Sequence, residues 1–321
     1  MPNKALSDKI NGNFKWKDIL SSEQFSKKDL ETVLTHADEM KRLVQTKGGA
    51  DLLKGSIMAA IFFEVSSRTF GSFVSGMQRL GGGFIPLQGM AQSSVAKGET
   101  LEDTIQVFAS YSDVIVMRHP ELGSMQRAAA VTDIPIINAG EGIGEHPTQA
   151  LYDLYTIKEE LGTLDNITVT FFGELAHYRP VNSLAKCLSL FPNITLNFIS
   201  PPEGALNDET RNYLKEQQVH VYEGTDMTRV IHDTDVVYVT RVKKEFMDEK
   251  LYHQIKGKYI FDRKLLDQMK QKSIIMHALP RIDEITTDVD NDPRAVYLRS
   301  QVRNGMYVRM AMLALVLGKL S

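Results

Sequence analysis

Cysteine is nearly absent from this sequence, and its scarcity excludes two kinds of site. Cys187 is the one cysteine among 321 residues, so the chain can form neither an internal disulfide nor a multi-cysteine metal centre. An excess of basic charge is also missing. The formal net charge is -3, which gives no general attraction to nucleic acid or to acidic membranes. We therefore expect no nucleic-acid partner and no membrane partner, and a reducing, cytoplasmic location.

The sequence also lacks an apolar run long enough to cross a bilayer. Its most apolar stretch, Met306–Gly318, is too short to span and contains Arg309, so we predict a buried terminal helix there. The first twenty residues have no apolar core of signal-peptide length. Hydrophobic residues make up 43% and charged residues 24%, a balance typical of globular proteins. These features predict a soluble protein.

Glycine-rich nucleotide motifs are missing as well. No G-x-x-x-x-G-K-[ST] motif occurs, and Gly140-Glu-Gly-Ile-Gly144 has the wrong spacing for G-x-G-x-x-G. The apolar run that ends at Phe172 continues into Gly173-Glu-Leu-Ala-His, which carries no dinucleotide fingerprint. We therefore expect no nucleotide cofactor.

What the sequence does contain is an alternation of apolar, β-branched runs with segments of helical period. This alternation predicts parallel sheets covered by helices. The runs form two groups of four, so we predict an α/β fold of two domains, each a parallel-sheet layer with helices on both faces. We place the first domain at residues 1–148, with a helix at 303–321 packing back on it, and the second at 149–302. The predicted strands are Ser56–Phe63, Phe84–Leu87, Asp113–Met117, Ile134–Ile137, Ile167–Phe172, Ile194–Ile199, Asp235–Val239 and Ser273–Met276. The predicted helices include Asp29–Val44, Thr100–Tyr111, Gln149–Leu161 and Asn182–Ser189.

The residues that follow the predicted strands indicate where a ligand binds. In open parallel sheets, ligands bind outside the carboxyl ends of the strands. Here those positions are rich in arginine, histidine and hydroxyl groups, which suits a doubly charged anionic substrate. They are Glu64–Thr69, Arg118–Pro120, Asn138–His146, Gly173–Glu174, Thr240–Arg241 and His277–Arg281.

The segment Phe63–Gly81 carries the strongest signal for a phosphate site. Its apolar residues recur at helical spacing, Ser66 or Ser67 is a suitable N-cap, and Gly81 is a natural stop. A helix N-terminus with hydroxyl groups and one arginine is a ready phosphate site. An ordinary capped helix with Arg68 in solvent would have the same sequence, so these residues alone leave both interpretations open.

Several ordered motifs together resemble the aspartate and ornithine carbamoyltransferase family, and closely its aspartate branch. The similarity extends from about Leu52 to Gly318. The motifs that carry it are Ser66-Ser-Arg-Thr69, Lys97-Gly-Glu-Thr-Leu-Glu-Asp-Thr104, Val116-Met-Arg-His-Pro120, His146-Pro-Thr-Gln149, Tyr238-Val-Thr-Arg-Val242 and His277-Ala-Leu-Pro-Arg-Ile-Asp-Glu-Ile285.

The resemblance implies transfer of a carbamoyl group from carbamoyl phosphate to the amine of L-aspartate, a step of de novo pyrimidine biosynthesis. It also implies no covalent enzyme intermediate, no catalytic metal and no cofactor. A protein accelerates such a reaction by holding two anions together and stabilising the oxyanion and the departing phosphate. The first domain would bind carbamoyl phosphate and the second aspartate.

By similarity, the residues that bind phosphate or face the carbamoyl group lie in the first half of the chain. Thr69, Arg118 and His146 would face the carbonyl oxygen, and Gln149 the carbamoyl nitrogen. His146 could instead only cap the next helix, and Arg118 with His119 could be a surface pair. We interpret His119, His177 and His277 as structural. The implied catalytic residues are Arg68, Thr69, Lys97, Arg118 and His146, and the implied carbamoyl-phosphate residues are Ser66, Ser67, Arg68, Thr69, Ser94, Lys97, Arg118, His146 and Gln149.

The segment Gly89–Gly98 implies a further partner. Read alone, it is a surface loop with a solvated lysine, Lys97. In the family, such a loop reaches into the neighbouring subunit's site, so the resemblance implies a C3 homotrimer with shared active sites. A ring built from one head-to-tail interface is physically reasonable. The resemblance also leaves room for regulatory or partner chains on the trimer.

The half of the site that would bind the amino acid departs more from the family pattern. Two arginines suit a dicarboxylic amino acid better than a diamine. The chain differs from the usual aspartate-branch pattern at Ala176, Tyr178, Lys243, Phe246 and Ala278. By similarity, the aspartate-binding residues are Lys97, Arg179, Arg241, Lys243, Leu279 and Pro280.

Two alternatives remain open. One is a carbamoyltransferase for a different amine; the ornithine branch is disfavoured because its Ser-Met-Gly and His-Cys-Leu-Pro motifs are absent. The other is a non-catalytic relative that serves as a binding or assembly subunit. The presence of all the implied carbamoyl-phosphate-binding residues disfavours this alternative.

Overall fold

The computed structural model describes residues 9–89, 94–242 and 249–321. The chain divides into two compact units. Unit 1 comprises the described residues up to Tyr152 together with Asn304–Ser321, and unit 2 is Asp153–Arg303. Each unit contains one sheet whose strands are all parallel. The predicted α/β class, with two parallel-sheet layers, is confirmed.

The sheet of unit 1 has the strand order β2-β1-β3-β4. Its central strand β1 is a continuous apolar run and is buried along almost its whole length. This is typical of a parallel strand that is covered on both faces. The helices α3 and α4 pack on one core cluster that includes Ile105 and Met125. The strands are β1 (Ile57–Phe62), β2 (Gly83–Gln88), β3 (Val114–His119) and β4 (Ile136–Glu141). The helices within this unit are α1 (Lys27–Lys47), α2 (Ser67–Arg79), α3 (Leu101–Ala109) and α4 (Ser124–Ala130).

Two longer helices contain the boundaries between the units. These are α5 (Pro147–Leu161) and α10 (Ser300–Val316). Within unit 1, α10 contacts α2: the buried Arg309 guanidinium lies 4.9 Å from the ring centre of Phe73 and hydrogen-bonds Ser72. In the described residues, no helix is both long and apolar enough to cross a membrane.

The sheet of unit 2 has the strand order β7-β6-β5-β8-β9. Its core includes Phe171 stacked on Phe198 with ring centres 5.2 Å apart. The strands are β5 (Thr168–Phe172), β6 (Thr195–Ile199), β7 (His220–Gly224), β8 (Val236–Val239) and β9 (Ile274–His277). The helices within this unit are α6 (Arg179–Leu188), α7 (Asp208–Glu216), α8 (Glu249–Ile255) and α9 (Arg263–Leu266).

Three strands differ from the sequence prediction. The edge strand β7 was not predicted, because Val221 and Tyr222 are its only large apolar side chains and none of its five residues is buried. Both β3 and β4 continue beyond their apolar runs, to His119 and Glu141. Their final residues are polar but buried, so a prediction based on apolar character alone placed the ends of these strands too early. As a result, Arg118 lies within β3 and not after it.

Candidate active site

The N-terminus of α2 lies just beyond the carboxyl end of β1. Ser66 is the N-cap, with extended backbone, and the helix begins at Ser67, which confirms the predicted helix. The first intrahelical bond runs from Phe70 N to Ser66 O at 3.0 Å. The N–H groups of Ser67, Arg68 and Thr69 therefore precede the helical hydrogen-bond ladder. Ser67 and Arg68 are exposed and Thr69 is buried, so this helix end presents donors and one positive charge.

Arg118 lies on the adjacent strand at the same edge of the sheet. It pairs in register with Phe62, the last residue of β1, and its carbonyl accepts from Phe63 N at 2.9 Å. The side chain is 9% exposed, and its Nη2 donates to Glu64 Oε1 at 2.7 Å. A buried guanidinium requires a counter-charge, and Glu64 supplies it. The alternative that Arg118 is a surface residue is wrong.

The neighbouring His119 has a structural environment, as expected. Its Nδ1 accepts from Glu121 N at 3.1 Å, and its ring packs edge-on against Phe63 at 4.6 Å. Burial, aided by the positive charge of Arg127, lowers the pKa of the His119 imidazole, against the opposing effect of Glu121. The lowered pKa favours the neutral form of the ring, which suits a packing role.

His146 and Gln149 lie at the N-terminus of α5, after β4. The His146 carbonyl accepts from Gln149 N at 2.9 Å and from Ala150 N at 3.2 Å, and Pro147 occupies the first helical position. The His146 Nδ1 lies 3.3 Å from Thr148 Oγ1. Both His146 and Gln149 are buried. The backbone of His146 does cap the helix, as the simpler interpretation held, and this leaves a separate role open to its ring.

Lys97 ends a short 3-10 helix, Ser94–Lys97, that follows β2 in the chain. The lysine is exposed. Residues 90–93 lie outside the described part of the chain. Ser94 and Lys97 thus belong to unit 1, in a segment between β2 and α3.

In unit 2, the predicted arginines follow two adjacent strands. Arg179 is the first residue of α6, after β5, and is buried; Arg241 lies two residues after β8 and is half-buried. Gly173 connects β5 to this region with φ +126°, and a Cβ there would lie 2.4 Å from Thr240 O. Only glycine permits this approach. The bulky Tyr178 is buried and caps α6.

The loop after β9 carries Leu279 and Pro280. The peptide bond between them is cis, and Leu279 has φ 56°. Leu279 N donates to His277 Nδ1 at 2.8 Å, and His277 Nε2 lies 2.7 Å from Glu284 Oε1. Burial raises the pKa of the Glu284 carboxyl, but its close contact with His277 and backbone hydrogen bonds, including that from Ile282 N, outweigh burial, so the pKa lies below its usual value.

Arg281 fixes the other side of this loop. Its Nη2 donates to Asp290 Oδ2 at 2.5 Å, and its Nη1 contacts Asp290 Oδ1 and the Tyr297 hydroxyl. The Tyr297 hydroxyl also donates to Asp290. The Arg281 hydrogen bonds lower the pKa of the Asp290 carboxyl, aided by Tyr297 and opposed by burial. Burial, then Asp290, raise the pKa of the Tyr297 phenol well above its usual value.

The structure thus places the predicted residues at the carboxyl ends of the strands in both sheets. In unit 1 these residues are Ser66–Thr69, Arg118, His146 and Gln149, and in unit 2 they are Arg179, Arg241, Leu279 and Pro280. Lys243 and Phe246 lie outside the described residues. The described side chains contain no group of three or more metal-ligating residues that could hold an ion. Sequence reasoning missed the pairing of Glu64 with Arg118, because the burial of the arginine, which creates its need for a carboxylate, is not visible in the local sequence.

Comparison with known proteins places the chain in a family. The model of the aspartate/ornithine carbamoyltransferase carbamoyl-phosphate-binding domain matches residues 17–159, and that of the Asp/Orn-binding domain matches residues 165–316. The chloroplastic aspartate carbamoyltransferase of Arabidopsis thaliana is 47% identical over 95% of this chain and 78% of its own length. The crystal structure of Trypanosoma cruzi aspartate transcarbamoylase with carbamoyl phosphate and aspartate has a TM-score of 0.91 at 40% identity, covering 97% of this chain and 99% of that one. The catalytic subunit of M. jannaschii aspartate transcarbamoylase has a TM-score of 0.86 at 44% identity, covering 92% and 96%. The predicted resemblance is confirmed: the chain belongs to the aspartate/ornithine carbamoyltransferase family.

Proposed function

We propose that this protein transfers the carbamoyl group of carbamoyl phosphate to the amino group of L-aspartate. The products are N-carbamoyl-L-aspartate and phosphate. The observation that carries the proposal is the set of polar groups at the carboxyl ends of the first sheet, where the N-terminus of α2, Arg118 and His146 lie at the ends of neighbouring strands. The names of the relatives, which are aspartate carbamoyltransferases, support it.

Unit 1 binds carbamoyl phosphate in this proposal. The phosphate accepts from the N–H groups and hydroxyls of Ser66–Thr69, and Arg68 neutralises its charge. The positive end of the α2 dipole adds to the attraction. Arg118 contributes a second guanidinium, which requires its ion pair with Glu64 to loosen or to be shared with the ligand.

The carbamoyl group lies beyond the phosphate. Thr69, Arg118 and His146 donate to the carbonyl oxygen and stabilise the oxyanion that forms as the amine attacks. Gln149 orients the carbamoyl nitrogen through its side-chain amide. The amine nitrogen bonds to the carbamoyl carbon and the carbon–oxygen bond to phosphate breaks. The proton released by the amine passes to the departing phosphate, which leaves without any bond to the enzyme. Because His146 need only donate a hydrogen bond, a neutral ring suffices.

Unit 2 binds L-aspartate. Arg179 and Arg241 pair with its two carboxylates, since a planar guanidinium matches a carboxylate bidentately. Lys243 adds a third cation from the segment after β8. The backbone of Leu279 and Pro280 lines the site and orients the amine. The solved T. cruzi complex with carbamoyl phosphate and aspartate supports this substrate pair.

The proposed assembly is a homotrimer in which Ser94 and Lys97 serve a neighbouring subunit's site, with Lys97 contacting both substrates. Arg68→Ala and Lys97→Ala proteins are each expected to be nearly inactive. When the two are dissociated, mixed and reassembled, some interfaces combine an intact Arg68 with an intact Lys97 and regain activity. No recovery in demonstrably mixed trimers would show that each site is built from one chain.

The domain assignment and the location remain predictions. Carbamoyl phosphate is assigned to residues 1–148 with 303–321, and aspartate to residues 149–302. A cytoplasmic location is predicted from the sequence, whereas the plant relatives are named chloroplastic.

Substrate specificity tests the proposed function. Purified protein is incubated with radiolabelled carbamoyl phosphate and each of a panel of amino acids, including L-aspartate, L-asparagine and L-ornithine. We expect label in the aspartate product at the highest kcat/KM. Preferred transfer to another amine would replace the aspartate assignment, and no transfer to any amine would favour a non-catalytic relative.

A further inference from the structure

We infer that His277 is a positioning residue that sets the conformation of the Leu279–Pro280 loop, and so the affinity for the amino-acid substrate. The inference rests on the proposed function, because it assumes that this loop contacts aspartate. It assigns to His277 a role beyond the structural one that the sequence indicated.

The first step is the local turn at the end of β9. His277 Nδ1 accepts from the N–H of Leu279, two residues ahead, at 2.8 Å. The side chain thereby closes a turn in the way an Asx side chain does. Leu279 has φ 56°, a left-handed conformation that is unfavourable for a non-glycine residue. Such a conformation persists only where its surroundings hold it, and the His277 ring provides one such contact.

The second step is the orientation of the ring. Because Nδ1 accepts a hydrogen bond, a neutral His277 carries its proton on Nε2. Nε2 faces Glu284 Oε1 at 2.7 Å, and both side chains are almost fully buried. The other carboxylate oxygen of Glu284 accepts from Ile282 N at 2.9 Å and Asp283 N at 3.0 Å. Glu284 therefore contacts the ring through one carboxylate oxygen and holds the far end of the same loop through the other.

The third step is the anchor of His277 to the interior of unit 2. Its backbone N–H donates to Gln301 Oε1 at 2.9 Å. Gln301 Nε2 donates to Asp153 Oδ1 at 2.7 Å, and the other Asp153 oxygen accepts from the Tyr238 hydroxyl at 2.9 Å. A continuous buried chain thus leads from β8 to the loop. Satisfied buried networks of this kind specify one conformation.

The residue between His277 and Leu279 does not restrain this turn. It is Ala278, and no ring fixes its φ as the ring of a proline would. The hydrogen bond that His277 Nδ1 accepts from Leu279 N therefore carries a large share of the turn's definition.

Two substitutions separate the two sides of the ring. In His277→Asn, the amide oxygen can still accept from Leu279 N, as in an Asx-turn, but contact with Glu284 is lost. In His277→Gln, the longer amide can reach Glu284, but the acceptor for Leu279 N is lost. Asp292→Asn is the control, since it removes a largely buried ion pair with Arg294 elsewhere in unit 2.

The measurements are the KM for aspartate at saturating carbamoyl phosphate, the KM for carbamoyl phosphate at saturating aspartate, and thermal stability. We expect His277→Gln to raise the aspartate KM about fivefold, the equilibrium equivalent of one lost hydrogen bond, with the carbamoyl-phosphate KM unchanged within twofold. We expect His277→Asn and Asp292→Asn to lose stability while both KM values stay within about twofold of wild type.

Several results would overturn the inference. An unchanged aspartate KM in His277→Gln is one, an equal increase in His277→Asn is another, and parallel changes in both KM values is a third. If His277→Gln does not fold, a His277→Ala/Glu284→Gln double variant removes the same acceptor without leaving a buried, unpaired carboxylate, and its aspartate KM decides. Wild-type protein that does not carbamoylate aspartate would instead refute the proposed function itself.

Discussion

The ion pair between Arg281 and Asp290 gives a prediction about how stability depends on pH. Asp290→Asn keeps the size of the side chain but removes the negative charge of the carboxylate, which accepts hydrogen bonds from the Arg281 guanidinium and the Tyr297 hydroxyl. The variant therefore leaves Arg281 without its counter-charge beside the Leu279–Pro280 loop. We expect Asp290→Asn to be less stable than wild type at neutral pH.

The magnitude follows from the geometry and the exposure of the pair. Breaking a buried ion pair costs about 3–5 kcal/mol, and a charge-assisted hydrogen bond contributes about 1.5–3 kcal/mol. The Asp290 side chain is 24% exposed, so solvent screens part of the interaction. We expect a loss of about 2 kcal/mol in the free energy of unfolding. For a unit of this size, that lowers the melting temperature by roughly 4–8 °C.

The sign of the pH dependence follows from the lowered pKa of Asp290. An aspartate whose pKa is lower in the folded state stabilises the protein above its unfolded-state pKa, and this contribution disappears as pH falls through the folded-state value. Asparagine does not titrate. The difference between wild type and variant is therefore largest at neutral pH, shrinks below about pH 4 and vanishes in stronger acid.

Differential scanning calorimetry across this pH range, with Tyr297→Phe as the control, measures the effect. Tyr297→Phe removes one neutral donor and keeps the carboxylate, so its smaller loss should vary less with pH. An Asp290→Asn difference that stays constant into acid would contradict the electrostatic reasoning. A difference that grows in acid would show a pH dependence of the opposite sign to the one expected.

Three further predictions concern the site and its support. Arg68→Ala is expected to reduce kcat at least about a hundredfold, the usual cost of losing a preorganised charge-stabilising donor, with an unchanged circular-dichroism spectrum; near-normal turnover would remove the phosphate assignment. Lys243→Gln is expected to raise the aspartate KM modestly, because it replaces a cation of the proposed aspartate site with a neutral amide; a lower KM would contradict the role proposed for Lys243. Gly173→Ala is expected to lose about 2 kcal/mol or more of stability, because its Cβ would meet Thr240 O at 2.4 Å, and a wild-type melting temperature would contradict this.

The parts of the fold that the sequence predicted are those with strong local signals. The buried strand β1 is a continuous apolar run, β5 consists of β-branched and aromatic residues, and α2 has a serine N-cap, helical periodicity and a glycine shortly after its end. Their carboxyl ends could be aligned in advance because connections in parallel sheets bring them to one edge. The edge strand β7 has no such signal, since only one side of it is paired and its residues are half-exposed.

The contacts that hold the site residues in place were harder to predict because they join residues distant in sequence. Arg118 and Glu64 lie 54 positions apart, and nothing local in either segment indicates the pairing. The left-handed conformation of Leu279 is equally hidden, since leucine rarely adopts it and a turn is usually inferred from glycine or asparagine. The sequence motifs predicted that these residues lie near the carboxyl ends of the strands, but the contacts that support them could not be predicted.

The amount of product formed by the wild-type protein tests the central claim most directly. Purified protein is supplied with carbamoyl phosphate and L-aspartate, and N-carbamoyl-L-aspartate and inorganic phosphate are both quantified over time, with Arg118→Ala protein and an aspartate-free reaction alongside. The proposed function predicts equal amounts of the two products, formation that depends on aspartate, and a loss of at least about a hundredfold in Arg118→Ala. Phosphate release without carbamoyl-aspartate, or undiminished turnover in a folded Arg118→Ala protein, would contradict it.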